Sequence, residues 1–243
     1  MARATEADVV FFERETFLSQ VWDYEAGQHV TVLAPTTGGK THLSFQLLGQ
    51  SATPEVPAVV MVMKPRDRAT QQWTRKLDFL TVRDWPPPKS KSLFRDRPVR
   101  GWTVWPAHVH DPAIDDPRHR ALFRRVILDS YKKGNRILFA DETYSLEEEL
   151  ELSTELRTVW TKGASMGCGM WAASQRPAYI SKWAYQAHHL FLGGDPDEDT
   201  QRRLSEIGAA VDPGKVRWIL PRLEKWQFLY INRDERAMCI VGA

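Results

Sequence analysis

Short runs of apolar residues alternate along the chain with longer stretches in which apolar positions recur at helical spacing. The runs are His29–Ala34 (HVTVLA), Ala58–Met63 (AVVMVM), Trp102–Trp105 (WTVW), Arg136–Ala140 (RILFA), Gly169–Ser174 (GMWAAS) and His188–Leu192 (HHLFL). Their near-continuous apolar character predicts strands covered on both faces, as in a parallel sheet. The clearest helical stretch is Pro117–Lys133, with Leu122, Phe123, Val126, Ile127 and Tyr131 on one face and Arg120, Arg124, Arg125, Asp129 and Lys132 on the other. Asp116 is its expected N-cap, Pro117 fits a first helical turn, and Gly134 stands where a left-handed C-cap belongs. A second helix is expected after Ser145, with Leu146, Leu150, Leu152, Leu156 and Trp160 inside and Glu147, Glu148, Glu149, Glu151 and Glu155 outside. Its acidic first turn complements the helix dipole.

Strands that alternate with helices imply an α/β fold with right-handed crossovers. The end of the chain differs. Trp226–Ile231 and Arg236–Val241 flank Asn232–Glu235, which predicts an antiparallel β-hairpin added at the sheet edge.

Composition narrows the class. The 243 residues are 42% hydrophobic and 26% charged, which excludes a wholly disordered chain, and ten tryptophans supply large side chains for a core or for stacking. The length suits one compact domain, with a helical lead-in over 1–28, a core over 29–210 and a β extension over 211–243. No apolar stretch approaches the roughly 18 residues that cross a bilayer, and the N-terminus lacks an apolar signal region. A cytoplasmic protein with no membrane partner is expected. Cys168 and Cys239 are too few for a disulfide framework or zinc site and read as reduced core residues. The formal charge is only +2, so any case for nucleic acid rests on local charge.

The candidate chemistry begins where the strand His29–Ala34 runs into PTTGGKT and a helical pattern. Strand, glycine-rich loop and helix together form the context of a phosphate-binding P-loop, whose backbone N–H groups wrap a β-phosphate. In that reading Thr36, Thr37, Gly38, Gly39, Lys40, Thr41 and His42 bind ATP, Lys40 reaches the β/γ-phosphates, and the Thr41 hydroxyl ligates Mg²⁺. Ala34 occupies the position of the usual first glycine, which is compatible with a negative φ. RILFADE then delivers Asp141 and Glu142 at a strand end, about 100 residues downstream. Asp141 suits Mg²⁺, and Glu142 suits a base for attacking water, which favours hydrolysis over phosphate transfer to a substrate. GMWAASQRPAYI brings Gln175 and Arg176 to the same edge, where Gln175 is placed to sense the γ-phosphate or orient water.

On APTTGGKT, FADE and ASQRPAYI, in that order and spacing over about residues 27–178, the chain resembles the FtsK/HerA superfamily of P-loop ATPases. The segment FLGGDPDEDTQRRLSEIG and the terminal hairpin are similar to small viral and prophage members. The resemblance implies a RecA-like ASCE core, ATP hydrolysis between subunits of a pentameric or hexameric ring, and translocation of double-stranded DNA, with a capsid portal or other docking protein as partner. The arginine that such proteins usually place before the sensor strand falls near Ala164, leaving Arg157, Lys162 or Arg176 to contact phosphate charge.

The expected DNA contacts lie in RDWPPPKSKSLFRDRPVR, where Arg83, Lys89, Lys91, Arg95, Arg97 and Arg100 face two acidic residues and three consecutive prolines disfavour a helix. Such a loop would contact phosphates without reading sequence. KPRDR, Lys64–Arg68, is a second basic cluster open to the same reading or to a solvated face. Two further functions remain open at this stage: an ATPase acting on protein, and a nucleotide-dependent assembly module without turnover.

Overall fold

The computed structural model describes residues 9–88, 98–175, 180–195, 197–207 and 211–243. Among these, ten strands form one sheet in the order β1-β10-β9-β8-β2-β7-β6-β3-β5-β4. The central strands are β2 (Val30–Leu33), β3 (Ala58–Met61), β5 (Gly101–Val104), β6 (Arg136–Ala140), β7 (Cys168–Ser174) and β8 (His189–Gly193), with β4 (Leu80–Val82) at one edge. All neighbours from β8 to β4 pair in parallel. The hairpin β9 (Phe228–Asn232) and β10 (Ala237–Val241) joins β8 antiparallel, as expected. The sheet is therefore mainly parallel with antiparallel C-terminal strands.

The apolar runs are continuous because both faces are covered. In β6, Ile137 and Phe139 enter one core with Leu43 and Phe45, while Leu138 and Ala140 enter the other with Phe123 and Leu156. Helix α2 (Lys40–Ser51) and α3 (Arg68–Lys76) cover the first face; α4 (Pro112–Lys133), α5 (Ser153–Lys162) and α7 (Pro213–Ile219) cover the second, where α6 (Glu198–Ile207) packs on α7. No helix among the described residues is long and apolar enough to cross a membrane.

Four details differ from the sequence reading. Among the described residues the lead-in opens with a strand, β1 (Val10–Phe12), parallel to β10, before a short helix α1 (Arg14–Thr16) that widens into a π-turn over Phe17–Val21. Strand β4 leaves no mark in the sequence, because three residues carry too little periodicity to stand out. Helix α4 starts at Pro112, not Pro117: Asp111 accepts from Ala113 N–H at 3.0 Å as the N-cap, and the helix continues past Pro117. The chain holds two Asp-Pro pairs in this stretch, and the earlier one caps.

The helix expected after Ser145 is divided into a π-turn over Ser145–Glu149 and α5. Glu151 adopts a left-handed φ of 51°, and the Leu152 N–H reaches back to the Leu146 carbonyl at 2.9 Å. This wide turn places Leu146, Leu150, Leu152 and Leu156 in a single core, which one straight helix would spread around its circumference.

Candidate nucleotide-binding site

The loop after β2 closes on Gly39, whose φ of 87° suits glycine, and α2 begins at Lys40. Thr37 is left-handed too, at φ 63°. Ala34 is not among the positive-φ residues, and two glycines make room for its methyl group. A Cβ built on Gly193 would lie 2.5 Å from the Ala34 Cβ, and one on Gly38 would lie 2.9 Å from it. The methyl at the usual glycine position is thus accommodated by missing side chains opposite.

Lys40 is buried, and its Nζ donates to the carbonyls of Ala34 at 2.8 Å and Pro35 at 2.9 Å. Burial pushes its pKa down to about 8, against the opposing pull of Asp141 and Glu142. Asp141 and Glu142 follow directly on β6. The Thr41 hydroxyl donates to Asp141 Oδ1 at 2.8 Å, so the first turn of α2 and the end of β6 are hydrogen-bonded across β7. Burial raises the pKa of Asp141, opposed by the Thr41 hydrogen bond and by Lys64. A hydroxyl and a carboxylate converging at the helix N-terminus form an oxygen donor set that fits a hard divalent cation such as Mg²⁺.

Gln175, at the end of β7, accepts a hydrogen bond from the Thr36 hydroxyl at 2.7 Å on Oε1, which ties the end of β7 to the loop after β2. These groups line a cavity of about 280 Å³ with His42, whose ring meets the Trp73 edge at 4.9 Å. Glu147, on the turn after Glu142, accepts the Ser181 N–H at 3.0 Å, and burial pushes its pKa up to about 7. The segments that follow β6 and β7 are thereby linked.

Lys64, which the sequence offers only as part of a basic cluster for DNA or solvent, belongs to this cavity. Its Nζ lies 3.1 Å from Glu142 Oε2 and 3.9 Å from Asp141 Oδ2, inside the same cavity. The strand register brings it there: Met61 pairs with Ala140, so the residues just past β3 and β6 are neighbours. Burial opposes the charge on Lys64 and the carboxylates outweigh it, raising its pKa. The rest of KPRDR is partly structural, since Asp67 caps α3 by accepting the Thr70 N–H at 2.9 Å.

Other candidates lie away from this cavity. Arg157 and Lys162 are exposed on α5, whose C-terminal end leads into the start of β7 at the opposite edge of the sheet. Arg100 is at that edge too, its guanidinium donating to the carbonyls of Gly49 at 3.0 Å and Ala52 at 2.7 Å, the C-terminal end of α2. Lys89, Lys91, Arg95, Arg97 and Arg176 lie outside the described residues.

No family model matches the chain, and no curated protein matches it. Solved structures do. The genome-packaging NTPase B204 of Sulfolobus turreted icosahedral virus 2, in complex with sulfate, is 14% identical with a TM-score of 0.62, covering 90% of this chain and 98% of its own. B204 of Sulfolobus turreted icosahedral virus, described as a DNA-packaging ATPase, is 13% identical with a TM-score of 0.61 over 89% of this chain and 98% of that one. VirB4 of Thermoanaerobacter pseudethanolicus is 10% identical with a TM-score of 0.61 and 88% coverage of both chains. The resemblance carried by three short motifs thus extends to the fold, and the chain has the RecA-like P-loop architecture that these proteins share.

Proposed function

We propose that the chain is an ATP-hydrolysing motor subunit that acts with Mg²⁺ and translocates double-stranded DNA, as a genome-packaging ATPase working in a ring of its own copies. The observation that carries the reading is the 2.8 Å bond between Thr41 and Asp141, with Glu142 next in sequence at the mouth of the same cavity. Similarity of fold to B204, structures of which hold ATP-gammaS and AMPPCP, supports nucleotide as the ligand.

In this mechanism the loop N–H groups and the start of α2 bind the phosphates of ATP, and Lys40 leaves the Ala34 and Pro35 carbonyls to meet the β/γ oxygens. Thr41 and Asp141 would hold Mg²⁺, which supplies charge neutralisation on the β/γ-phosphates when bound. Glu142 accepts a proton from the attacking water, once its carboxylate is released from Lys64. Gln175, hydrogen-bonded to Thr36, feels the arrival of the γ-phosphate and relays it into the segment after β7. The basic segment 83–100 contacts DNA phosphates, and a docking protein such as a portal recruits the ring. Arg157, Lys162 or Arg176 supplies the contact to a neighbouring subunit's nucleotide. The protein works in the cytoplasm of the cell in which packaging occurs.

The test is Glu142→Gln. This variant is expected to bind ATP as the native chain does and to hydrolyse it at least about 100-fold more slowly, as removal of a general base typically costs 10²–10⁴-fold. Undiminished turnover contradicts the assigned base.

A further inference from the structure

A second cavity, of about 150 Å³, lies on the other flank of the phosphate loop, between Ala34–Gly38 on one side and Gly193, Gly194 and residues 223–227 on the other. It shares Thr36 and Thr37 with the site described above, so the two cavities meet at the loop. Its wall includes Trp226, which is 51% exposed and has a φ of 70°, a conformation rarely adopted by large side chains.

Three contacts hold Trp226 in place. Its Nε1–H donates to the Thr37 carbonyl at 3.0 Å, Arg14 Nη2 donates to the Trp226 carbonyl at 2.7 Å, and the Gly39 Cα side faces the ring closely enough that an added Cβ would lie 3.1 Å from Cδ1. The Lys225 ammonium lies over the ring, 4.9 Å from its centroid, so a base stacking on that face would displace this flexible side chain. A strained, half-exposed aromatic ring fixed against a phosphate loop is poorly explained by core packing, since its exposed part buries nothing. Backbone strain of this kind collects at ligand sites.

We infer that Trp226 and the cavity beside it form the subsite for the purine base of the bound nucleotide. The inference rests on the proposed ATPase reading. Asp141 and Glu142, just past β6, fix the γ-phosphate end of the ligand on the β7 side of β2, so the base leaves on the β8 side, where Gly193, Gly194 and Trp226 lie. A cavity of this volume holds one aromatic ring system. Gly193 and Gly194 leave the far wall without side chains, and the Glu224 carboxylate and Gln227 amide, already 3.3 Å from each other, offer an acceptor and a donor to the base edge.

The experiment compares Mg·ATP with Mg·tripolyphosphate, which carries the phosphates without the base, by titration calorimetry on native, Trp226→Ala and Trp226→Phe chains. The expected result is that native protein prefers ATP, that Trp226→Ala weakens ATP by about tenfold or more, as loss of a stacked base does, and that tripolyphosphate changes less than about twofold. Trp226→Phe keeps a stacking ring without the Thr37 hydrogen bond and is expected to retain most of the ATP preference. Equal losses for both ligands overturn the inference, because the indole would then only brace the loop; so does ATP binding that is indifferent to the substitution. If native protein binds tripolyphosphate as tightly as ATP, the base subsite fails while the phosphate site stands. Binding of neither ligand overturns the nucleotide reading and the inference with it.

Discussion

Lys64 Nζ lies 3.1 Å from Glu142 Oε2, so the proposed base is paired with a cation from the adjacent strand end. In the proposed mechanism a γ-phosphate entering the cavity would compete for that ammonium with charge-assisted hydrogen bonds of its own, and the exchange would free the carboxylate to take a water proton. Lys64→Met is therefore expected to weaken a non-hydrolysable ATP analogue by about tenfold while changing ADP affinity much less, since a hydrogen bond to a charged group is worth about 1.5–3 kcal/mol. Lys64→Arg is expected to restore the preference for the triphosphate. Equal effects on ADP and on the analogue would show that Lys64 does not read the γ-phosphate.

Asp141 is a buried carboxylate whose pKa is raised by desolvation, so burial works against its ionised form. Asp141→Asn keeps a carbonyl acceptor for the Thr41 hydroxyl and removes the buried charge. The variant is expected to melt about 2–4 °C higher than the native chain, the shift produced by about 1 kcal/mol in a domain of this size, while losing metal-dependent turnover. Thermal unfolding followed beside ATP hydrolysis checks both halves. A lower melting temperature would contradict the view that function is maintained here at the expense of stability.

At the Ala34–Gly193 contact the prediction is a double-mutant cycle. Gly193→Ala places a methyl 2.5 Å from the Ala34 Cβ and is expected to cost about 1–3 kcal/mol through overpacking. Ala34→Gly removes the opposing methyl, so the pair is expected to recover most of the loss. Denaturant unfolding of the four proteins measures the coupling; additive effects would mean that Ala34 does not depend on the glycine across from it.

Much of this site was legible because the decisive residues are contiguous. Thr36–Thr41 and Asp141–Glu142 each follow an apolar run, and a loop or strand end carries them to one place without further information. Lys64 and Trp226 were not legible in that way, since each acquires its role from a partner distant in sequence: Glu142 through the β3–β6 register, Thr37 through a loop packed from the C-terminal extension. The parallel core and the terminal hairpin were readable from apolar runs and turn residues. Strand β1 was not, because an edge strand of three residues, two of them exposed, leaves no periodic pattern. The α4 start was misplaced for a different reason, that two Asp-Pro pairs compete and only packing selects between them.

The base of the sheet predicts an acid sensitivity. Burial pushes the pKa of His29 down to about 4 and that of His189 down to about 3. His29 Nδ1 accepts the Met170 N–H at 2.9 Å, and His189 lies 2.8 Å from both the Tyr230 hydroxyl and Gln28 Oε1. Both rings stay neutral in the folded chain and protonate near 6.5 in the unfolded one, so the unfolded state binds more protons below that pH. Stability is therefore present above about pH 6.5 and is lost as the pH falls toward 4, by about 1.4 kcal/mol per pH unit for each histidine once the unfolded ring is protonated. Urea midpoints at pH 7.5, 6.0 and 5.0 are expected to fall in that order, and midpoints that stay level would contradict the neutral, buried assignment.

The measurement closest to the central claim is steady-state ATP hydrolysis with Mg²⁺, with and without long double-stranded DNA, on native protein and on the Glu142→Gln variant. The account predicts turnover that rises on adding DNA and disappears in the variant. Turnover that depends on Glu142 but is indifferent to DNA would contradict the DNA motor and leave an ATPase acting on another substrate, and the absence of turnover under every condition would contradict the ATPase itself.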